Sequence, residues 1–589
     1  MTTRHILSAA LLLPLVPSTA LAQVTARASL STAGVPTDAA TGPTIVSGDG
    51  RFVFFTSAAT NLVAGDTNAV SDVFVRDRLL ATTERVSVST AGVQGDQQSG
   101  HTGSQLVIES AVCGLACSSD GRYVVFESNA ENLVPGDTNA RTDIFLRDRV
   151  LGTTERVSLT AGGAQCGSDC TRPSVSDDGR FVTFQSNFQG IVAGDLTSMD
   201  VFLRDRALGS TFKVSLANGG GQGNNNSEVL GGPGALSNDG RYVVFRSLAS
   251  TIVAGDTNGT WDAFVHDRTT LTTTRVSVNS SGVPSNSAVN GARMSADGRF
   301  VAFSSNAPNL APGLSGFTDV FVRDLLANTT VCASVSPVGV PVGGFCSTPF
   351  LSRDGRYVSF DSAATNVVSG DTNSRRDVFV RDLATGSNRC ASRSSSGAFG
   401  TQESYAGSVS DDGRYSAFWS LASNFATGDA NARFDAFVND RGPETFVTFC
   451  TAGTSSNGCV AALSAVGAPS ATAGAGFTLT ANSVEGQKQG LLFYGLDNTG
   501  FAPLPWGASS SFLCIKSPIQ RSTPVASGGA AGACNGSLAL DWNTLAVTPG
   551  VLGQPFTTGQ HVFSQAWYRD PPSPKTTALS DALEFVVEP

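Results

Sequence analysis

The hydrophobic positions of this chain fall in short runs separated by Asp-Gly turns, and the arrangement repeats seven times. Each unit reads S-x-D-G-R-[YF]-x-x-F, then a loop, then D-[VIA]-F-[VL]-x-D, and several units continue into T-x-R-V-S. The seven Asp-Gly-Arg tripeptides begin at Asp49, Asp120, Asp178, Asp239, Asp297, Asp354 and Asp412. A unit that recurs in this way predicts a repeat architecture in which neighbouring units bury a continuous core.

Each unit is expected to form four strands. Asp-Gly favours a tight hairpin turn, which in the first unit separates a strand ending at Ser47 from the strand 51–57. Residues 72–77 are the predicted third strand and residues 85–89 the fourth. The second strands, such as residues 241–245, are almost continuously apolar, which indicates that both faces are buried against neighbouring sheets. Seven four-stranded sheets packed radially predict an all-β, seven-bladed β-propeller.

The seventh unit ends at Asp440 and Arg441 without the strand that should follow. The N-terminal residues 27–34 match residues 85–92 of the first unit in sequence. We therefore expect the N-terminal strand to complete the seventh blade, which closes the ring and hides its edges.

These units resemble the WD40-like PD40 repeats of TolB-type propellers, and the resemblance covers about residues 26–441. TolB carries an α/β domain ahead of its propeller, and nothing in this chain corresponds to it. PD40 propellers also accompany serine peptidases and include some polysaccharide lyases. The resemblance therefore implies a fold and leaves the chemistry open.

A second domain is predicted after Arg441, where the composition shifts towards Ala, Ser and Gly. Residues 442–447 are the expected linker, and residues 448–589 are expected to form a small β-sandwich domain. Its strand-like runs are residues 477–480, 491–494, 512–515, 561–568 and 583–587. The segments 563–570 and 579–583 resemble a C-terminal β domain of large secreted bacterial proteins, which implies no activity.

Tryptophans give the second domain one candidate binding feature. Trp506, Trp542 and Trp567 could form a platform for carbohydrate, or they could be buried aromatic residues of the sandwich core.

The first 22 residues have the pattern of a signal peptide. Arg4 and His5 precede an apolar run from Ile6 to Val16, and the residues before Gln23 read Ala-Leu-Ala, as at a cleavage site. No later run reaches the about 18 apolar residues of a transmembrane helix. We therefore expect an exported protein that is periplasmic, on the cell surface or secreted. Its 48 acidic against 38 basic residues do not favour nucleic acid or an anionic membrane.

The loop between the second and third strands carries the candidate metal ligands. Its D-x-N-x-x-x-D pattern offers carboxylate and amide oxygens, which suit Ca²⁺. The alternative is that Asp and Asn form Asx-turns and only shape the loop. The candidate ligands in units one, two, four and six are Asp66, Asn68, Asp72, Asp137, Asn139, Asp143, Asp256, Asn258, Asp262, Asp371, Asn373 and Asp377.

Antiparallel topology places these loops and the inter-blade connections on one face of the propeller, which we call the loop face. The Asp-Gly-Arg turns and the turns between third and fourth strands share the opposite face, which we call the turn face. The most variable loops of the repeat, including residues 93–109 and 219–232, belong to the loop face. A ligand site is expected there, because binding residues usually lie on loops held by a rigid scaffold, and its acidity favours a cation or a basic partner.

No catalytic signature stands out. The chain has no G-x-S-x-G, and its histidines beyond residue 22, His101, His266 and His561, lie in three separate regions. Seven copies of Asp-Gly-Arg indicate turn residues and ion pairs rather than an active site.

The eleven cysteines cluster locally, which in an exported protein suggests disulfides between near neighbours and one free thiol. The groups are Cys113 and Cys117; Cys166 and Cys170; Cys332, Cys346 and Cys390; Cys450 and Cys459; Cys514 and Cys534.

The sequence thus favours an exported, non-catalytic binding or scaffolding protein of the cell envelope. Its propeller would bind protein or glycan through the loop face, with Ca²⁺ as a candidate stabilising ion. The alternative is a propeller-based polysaccharide lyase or hydrolase. Ligand, oligomeric state and the role of the second domain are left open.

Overall fold

A computed structural model describes residues 23–589 except for a set of short segments. These are residues 101–113, 196–198, 347–348, 430, 443–446, 450–451, 453, 456, 468, 471–473, 499–500, 502–503, 507–510, 558–559, 571–576 and 588–589. The expected signal peptide, residues 1–22, lies outside the described residues, as do His101, Cys113 and Cys450. The chain divides into two compact units, one ending at Gly442 and one beginning at Pro443.

The first unit is a seven-bladed β-propeller, which confirms the predicted fold class. Each blade is a four-stranded antiparallel sheet with the strands in the order first, second, third, fourth. The strands of blades one to six are, in that order, Thr41–Val46, Phe52–Ser57, Asp72–Asp77 and Thr82–Arg85; Leu115–Cys117, Tyr123–Ser128, Asp143–Asp148 and Thr153–Arg156; Cys170–Val175, Phe181–Ser186, Asp200–Asp205 and Ser210–Lys213; Ser227–Glu228, Tyr242–Ser247, Asp262–Asp267 and Thr272–Arg275; Val289–Met294, Phe300–Ser305, Asp319–Asp324 and Thr329–Cys332; Phe350–Leu351, Tyr357–Ser362, Asp377–Asp382 and Asn388–Cys390.

Blade seven is closed by the N-terminal strand, as predicted. Its first three strands are Ser404–Val409, Tyr415–Ser420 and Asp435–Asp440, and its fourth is Val24–Arg27. The register pairs Val24 with Asp440 and Arg27 with Phe437. Arg85 of blade one pairs with Phe74 in the equivalent way, so the sequence match between the two segments gave the correct register.

The fourth strand of blade one differs from its predicted bounds of 85–89, because it spans Thr82–Arg85. Beyond Arg85 a side chain takes part in the pairing. The Ser87 hydroxyl accepts from the Val73 N–H at 3.1 Å and donates to Asp72 Oδ1 at 2.5 Å. The serine of the recurring R-V-S motif therefore bonds the third strand just beyond the end of the fourth strand.

The Asp-Gly-Arg turns form the joints between blades on the turn face. Gly50 has φ +74°, and a Cβ there would lie 1.8 Å from the Tyr415 ring of blade seven. Arg51 forms a bidentate pair with Asp77 of its own blade, with Nη2 2.6 Å from Oδ2. Arg78 lies over the Tyr415 ring at 4.2 Å. The motif is therefore a packing and ion-pair device, in agreement with its sevenfold repetition.

The outer edge of each blade is covered by the turn that follows the outer strand of the preceding blade. In blade one, the Thr83 N–H donates to Thr32 Oγ1 at 2.9 Å and Arg76 donates to the Ser31 carbonyl at 2.9 Å. Val35 lies in the same turn, where its carbonyl accepts from the Ser31 N–H. These turns occupy the circumference of the propeller and protect edge strands that would otherwise offer unpaired backbone groups.

The central channel is closed on the turn face. Contacts run between the residues that precede the Asp-Gly-Arg motifs, and some of them cross the axis. Ser119 of blade two donates to Asp411 of blade seven at 2.7 Å, and Arg353 of blade six forms an ion pair with Asp177 of blade three. A Cβ on Gly48 would lie 2.0 Å from the Ser119 hydroxyl, so a side chain there would require Ser119 and Asp411 to shift.

The middle of the channel is filled as well. Phe350 of blade six packs in one cluster with Ile45 of blade one and Leu115 of blade two. The guanidinium of Arg293 lies 4.1 Å from the Phe350 ring centre and donates to the Pro233 carbonyl at 2.8 Å. A deep axial pocket is therefore not formed by these residues.

The second unit contains two main β-sheets that enclose one core. The six-stranded sheet consists of Val447–Phe449, Gln489–Gly495, Gln520–Arg521, Val525–Ala526, His561–Arg569 and Thr577–Val586. The three-stranded sheet consists of Ala462–Gly467, Phe477–Val484 and Gly536–Asp541. Leu504–Trp506 pairs with Ser511–Leu513, and an α-helix spans Trp542–Ala546. A 3₁₀ turn of the propeller spans Asn218–Gly220. No helix among the described residues is long and apolar enough to cross a membrane.

Trp542 and Trp567 do not share a binding platform. Trp542 is fully buried in the core between the sheets, whereas Trp567 belongs to a separate cluster with Phe493 and Ile515. The side chain of Trp506 lies outside the described part of the structure.

The cysteine pairing differs from the predicted one. Cys459 is bonded to Cys534, and Cys514 is also in a disulfide, so the expected pairs 450–459 and 514–534 are wrong. The expectation of a single free thiol is wrong as well. Among the described residues of the propeller, six cysteines are free thiols: Cys117, Cys166, Cys170, Cys332, Cys346 and Cys390. Most are fully enclosed in the apolar layers between blades, where a thiol behaves as a small hydrophobic group.

Candidate functional site

The loop face brings the predicted metal-binding residues together, but around an arginine. In blade one, Arg85 from the fourth strand reaches between the two carboxylates of the D-x-N-x-x-x-D loop. Its Nη2 lies 3.3 Å from Asp66 Oδ2, and its Nε lies 3.5 Å from Asp72 Oδ2. Burial raises the pKa of Asp72 to about 6, against the opposing effects of Ser87 and Arg85.

The same arrangement recurs in four further blades. A cation from the fourth strand contacts both loop carboxylates in each of them. The groups are Arg156 with Asp137 and Asp143, Lys213 with Asp195 and Asp200, Arg275 with Asp256 and Asp262, and Arg27 with Asp429 and Asp435.

The asparagine of the loop acts as a donor. Asn68 Nδ2 lies 2.7 Å from the Gly95 carbonyl and 3.4 Å from Asp72 Oδ2, while its Oδ1 accepts from the Val70 N–H. Asn139, Asn258 and Asn373 make the equivalent bonds to Asp143, Asp262 and Asp377. The amide therefore shapes the loop and does not turn its oxygen towards a metal.

Calcium does not fit these residues in blades one, two and four. The guanidinium occupies the space between the carboxylates that a cation would need, and the amide oxygen is engaged by the backbone. Among the residues that the structure describes, no three His, Cys, Asp or Glu side chains converge to hold a metal. These paired carboxylates are also not free to bind a basic partner.

Blades five and six depart from this pattern. Cys332 and Cys390 stand where the other blades have Arg or Lys, since they pair with Phe321 and Phe379 as Arg85 pairs with Phe74. In blade five, Leu314 also replaces the first aspartate of the loop. Burial raises the pKa of its remaining carboxylate, Asp319, to about 6.

Blade six keeps both loop carboxylates although Cys390 stands at the position of the pairing cation. Burial raises the pKa of Asp371, opposed by the backbone of Asn373 and by the charge of Arg393. Burial raises the pKa of Asp377 to about 6. Ser392 and Asn373 donate to the two oxygens of Asp377, at 2.6 and 2.8 Å.

A less regular position of the repeat lies near the loop face, one residue before the end of each second strand. It is occupied by Thr56, Glu127, Gln185, Arg246, Ser304, Asp361 and Trp419. Several of these side chains bond backbone groups in or directly beside the first strand of the next blade. Gln185 accepts from the Val229 N–H at 3.1 Å, and Asp361 accepts from the Ala406 N–H at 3.0 Å. Sequence reasoning missed this position, although its variation among the seven units was a visible signal.

Blades three and four form a partly exposed charged cluster around Arg246, which occupies this position in blade four. Arg172 and Arg246 both donate to Glu228 Oε2, at 2.9 and 2.7 Å. Burial alone would raise the pKa of Glu228, but the two arginines outweigh it and the pKa is lowered. Arg246 also lies over the Trp261 ring at 4.5 Å. Arg172 has φ +60°, a left-handed conformation uncommon for this residue type.

Blades six and seven form an aromatic cluster around Arg376. Its guanidinium lies 5.3 Å from the Phe345 ring and 5.2 Å from the Tyr405 ring, and it pairs with Asp361 at 3.2 Å. Tyr405 stacks on Trp419 with ring centres 5.7 Å apart. Phe434 meets Tyr405 edge-on at 5.8 Å.

This stack ends at the surface. Phe345 is 40% exposed, and Trp419 is partly exposed at the other end. An aromatic surface with a fixed guanidinium and carboxylates beside it can hold a planar or ring-shaped polar ligand.

The described histidines do not build a catalytic site. His266 is buried, bonds the Thr273 hydroxyl at 2.8 Å, and has its pKa lowered to about 4 by burial. His561 belongs to the second unit and pairs with Glu584 at 2.6 Å.

The closed ring of seven four-stranded blades defines a β-propeller, and the structure is similar to TolB-like propellers. The TolB protein of Agrobacterium tumefaciens is 15% identical, with 54% of this chain and 87% of that chain covered and a TM-score of 0.31. TolB from Acinetobacter baumannii is 14% identical over 60% of this chain and 64% of that one, with a TM-score of 0.31.

A manganese complex of an oligogalacturonate lyase is 11% identical over 71% and 96% of the two chains, with a TM-score of 0.42. At these identities the likeness concerns the fold alone. No protein-family model matches the sequence, and no curated protein matches it.

Proposed function

We propose that this chain is an exported, non-catalytic binding protein of the cell envelope, whose propeller binds glycan or protein through its loop face. The aromatic stack of Phe345, Tyr405 and Trp419 around Arg376 carries this proposal. It combines exposed ring surface with polar groups in fixed positions, at the face where the repeat pattern is least regular.

The rest of the propeller supports binding rather than catalysis. The channel is closed at the turn face by Ser119, Asp411, Asp177 and Arg353, and Phe350 fills its middle. A ligand is therefore met near the surface of the loop face. Export rests on the pattern of residues 1–22, and glycan stacking on aromatic rings is a common mode of recognition.

The proposal is tested with the chain from Gln23 to Pro589 and the double variant Phe345→Ala/Trp419→Ala. Binding is measured on a panel of immobilised envelope and extracellular glycans and on separated envelope proteins. We expect at least a tenfold weaker affinity for whichever ligand the wild type binds. Phe212→Ala is the matched control, because Phe212 is 38% exposed in the outer strand of blade three, away from the stack.

Two results would contradict this function. Equal loss of binding in the Phe212→Ala control would show that the aromatic stack is not the binding site. Release of reducing or unsaturated sugar ends from a polysaccharide by the wild type would instead establish a hydrolase or lyase.

A further inference from the structure

The seven blades share one buried aspartate, the first residue of each third strand, such as Asp72 in blade one and Asp262 in blade four. In blade four, Asn258 donates to Asp262 Oδ2 at 2.8 Å, and Arg275 Nη1 lies 3.7 Å from the same oxygen. Ser277 donates to the other oxygen, Oδ1, at 2.6 Å. The carboxylate is therefore satisfied by a hydroxyl on one oxygen and by an amide and a cation on the other.

In blade five the equivalent residue is Asp319, and only its hydroxyl partner remains. Ser334 donates to Asp319 Oδ1 at 2.7 Å. Asp319 is 1% exposed, and its Oδ2 is buried without a hydrogen-bond partner among the described residues. In the same part of the chain, none of the six equivalent aspartates has an oxygen in this condition. Blade five therefore buries a carboxyl group that is only half satisfied.

The sequence of blade five explains the missing partners. Its loop from Gly313 to Thr318 is one residue shorter than the loop of blade one and contains neither the aspartate nor the asparagine. Cys332 stands at the position of the pairing cation. Leu314 and Cys332 pack instead against the apolar layer between blades four and five. The carboxyl group has thus been kept in surroundings that have otherwise become apolar.

The ionisable side chains that face Asp319 supply no positive charge. They are the thiols of Cys332 and Cys346, both of which sense the charge of Asp319. Burial raises the pKa of Cys332 to about 12 and also raises that of Cys346, so both thiols are neutral between pH 5 and 8. Arg381 of blade six acts on the Cys332 thiol. The pKa of Asp319 itself is raised by burial and lowered by Ser334.

The connection to blade six is attached at the same place. The Cys346 N–H donates to the carbonyl of Thr318, the residue before Asp319, at 2.8 Å. Phe345, which begins the aromatic stack, directly precedes Cys346. A local opening at Asp319 therefore releases the segment that carries the Phe345 ring.

We propose that blade five is the proton-sensitive blade of the ring: it is closed while Asp319 is protonated and opens locally once Asp319 is ionised. Burying a charge without a partner costs far more free energy than burying a neutral carboxyl group. The ionised side chain is therefore better solvated when this end of the strand opens. The segment that opens comprises residues 319–334 and the connection up to Cys346.

The direction of the pH effect follows from the burial of Asp319. A solvated aspartate has a pKa of about 3.9, whereas the pKa of Asp319 in the closed blade is about 6. The closed blade therefore binds the proton more tightly, so its stability is full below about pH 4 and falls as the pH rises to about 6. Asp324, at the other end of the strand, pairs with Arg299, and its pKa is lowered to about 2. It therefore keeps its charge throughout the range above pH 5.

The test is hydrogen exchange of the chain from Gln23 to Pro589 at pH 5 and pH 8, followed by mass spectrometry. Protection is calculated against the intrinsic exchange rate at each pH. We expect protection of the peptides covering residues 319–334 and 340–346 to be about tenfold lower at pH 8. Asp319→Asn should show less than a twofold change, because the amide is uncharged at both pH values.

Asp143→Asn is the matched control, because Asp143 occupies the same position in blade two, 3.4 Å from Arg156. It should leave the pH response of blade five unchanged. A wild-type change of less than twofold would overturn the proposal, as would a tenfold change that persists in Asp319→Asn. Loss of the response in the control would also overturn it, since the effect would then belong to the whole ring. None of these measurements requires the ligand of the loop face.

Discussion

At the scale of single residues, the glycine of each Asp-Gly-Arg turn is constrained twice. Gly50 has a positive φ, and it packs with its Cα face against the Tyr415 ring of the neighbouring blade. Gly34 has nearly the same φ, +78°, but nothing lies within 4 Å of the position that a Cβ would take. Comparing a substitution at the two positions therefore distinguishes the cost of the left-handed backbone from the cost of the steric clash.

We expect Gly50→Ala to lower the free energy of unfolding more than Gly34→Ala does. The left-handed conformation costs a residue with a Cβ about 1–2 kcal/mol at either position. At Gly50 the clash with the half-buried Tyr415 ring adds about 1–3 kcal/mol. Urea unfolding of both variants checks the difference, and equal losses would show that the joint between blades one and seven tolerates the extra carbon.

At the scale of elements, the closing strand is held by charge as well as by backbone pairing. Arg27 carries the contact, with its Nη2 2.6 Å from Asp429 and 3.4 Å from Asp435. All three side chains are at most 5% exposed. Blade three has Lys213 in the equivalent place, 2.9 and 2.8 Å from its two carboxylates.

We expect Arg27→Ala to destabilise the propeller by about 3–5 kcal/mol, because it leaves two buried carboxylates without a cation. Arg27→Lys should retain most of the stability, as the lysine of blade three shows that an ammonium group fits this site. Thermal unfolding measures both. If Arg27→Ala unfolds like the wild type, the ion pair does not hold the closing strand.

The sequence was sufficient for the blades and their closure, since Asp-Gly turns and apolar second strands recur with every unit. It was not sufficient for the acidic loops. A D-x-N-x-x-x-D pattern shows carboxylates but not that Arg85, seventeen residues beyond Asn68, folds back between them. Blade five has Leu314 in place of the first loop aspartate and Cys332 in place of the arginine. That both replacements occur in the same unit was a signal of the pairing. The disulfide between Cys459 and Cys534 could not be predicted from cysteine spacing, because the two residues are far apart in the sequence and meet only in the folded domain.

At the scale of the whole molecule, the built-in cations bear on the calcium hypothesis. Five blades neutralise their loop carboxylates internally with Arg85, Arg156, Lys213, Arg275 and Arg27. We expect the melting temperature of the chain from Gln23 to Pro589 to be the same in EDTA and in millimolar Ca²⁺ at matched ionic strength. A bound ion at about 100 times its Kd would add about 2.7 kcal/mol, which thermal unfolding detects.

A rise with Ca²⁺ that Mg²⁺ does not reproduce would contradict this expectation. Asp371→Asn would then be the informative variant, because blade six keeps both loop carboxylates although Cys390 stands in the place of the arginine.

The pairing of Val24 with Asp440 has a consequence for how the chain reaches its final form. Six blades are built from neighbouring segments, so each can assemble as soon as its own residues are available. The seventh needs the two ends of the propeller sequence at once, and contacts so distant in sequence form slowly. In a chain delivered with its N-terminus first, residues 24–27 therefore remain an unpaired strand until residues 435–440 arrive. The ring then closes in a single late step, so the first strand to emerge is the last to pair.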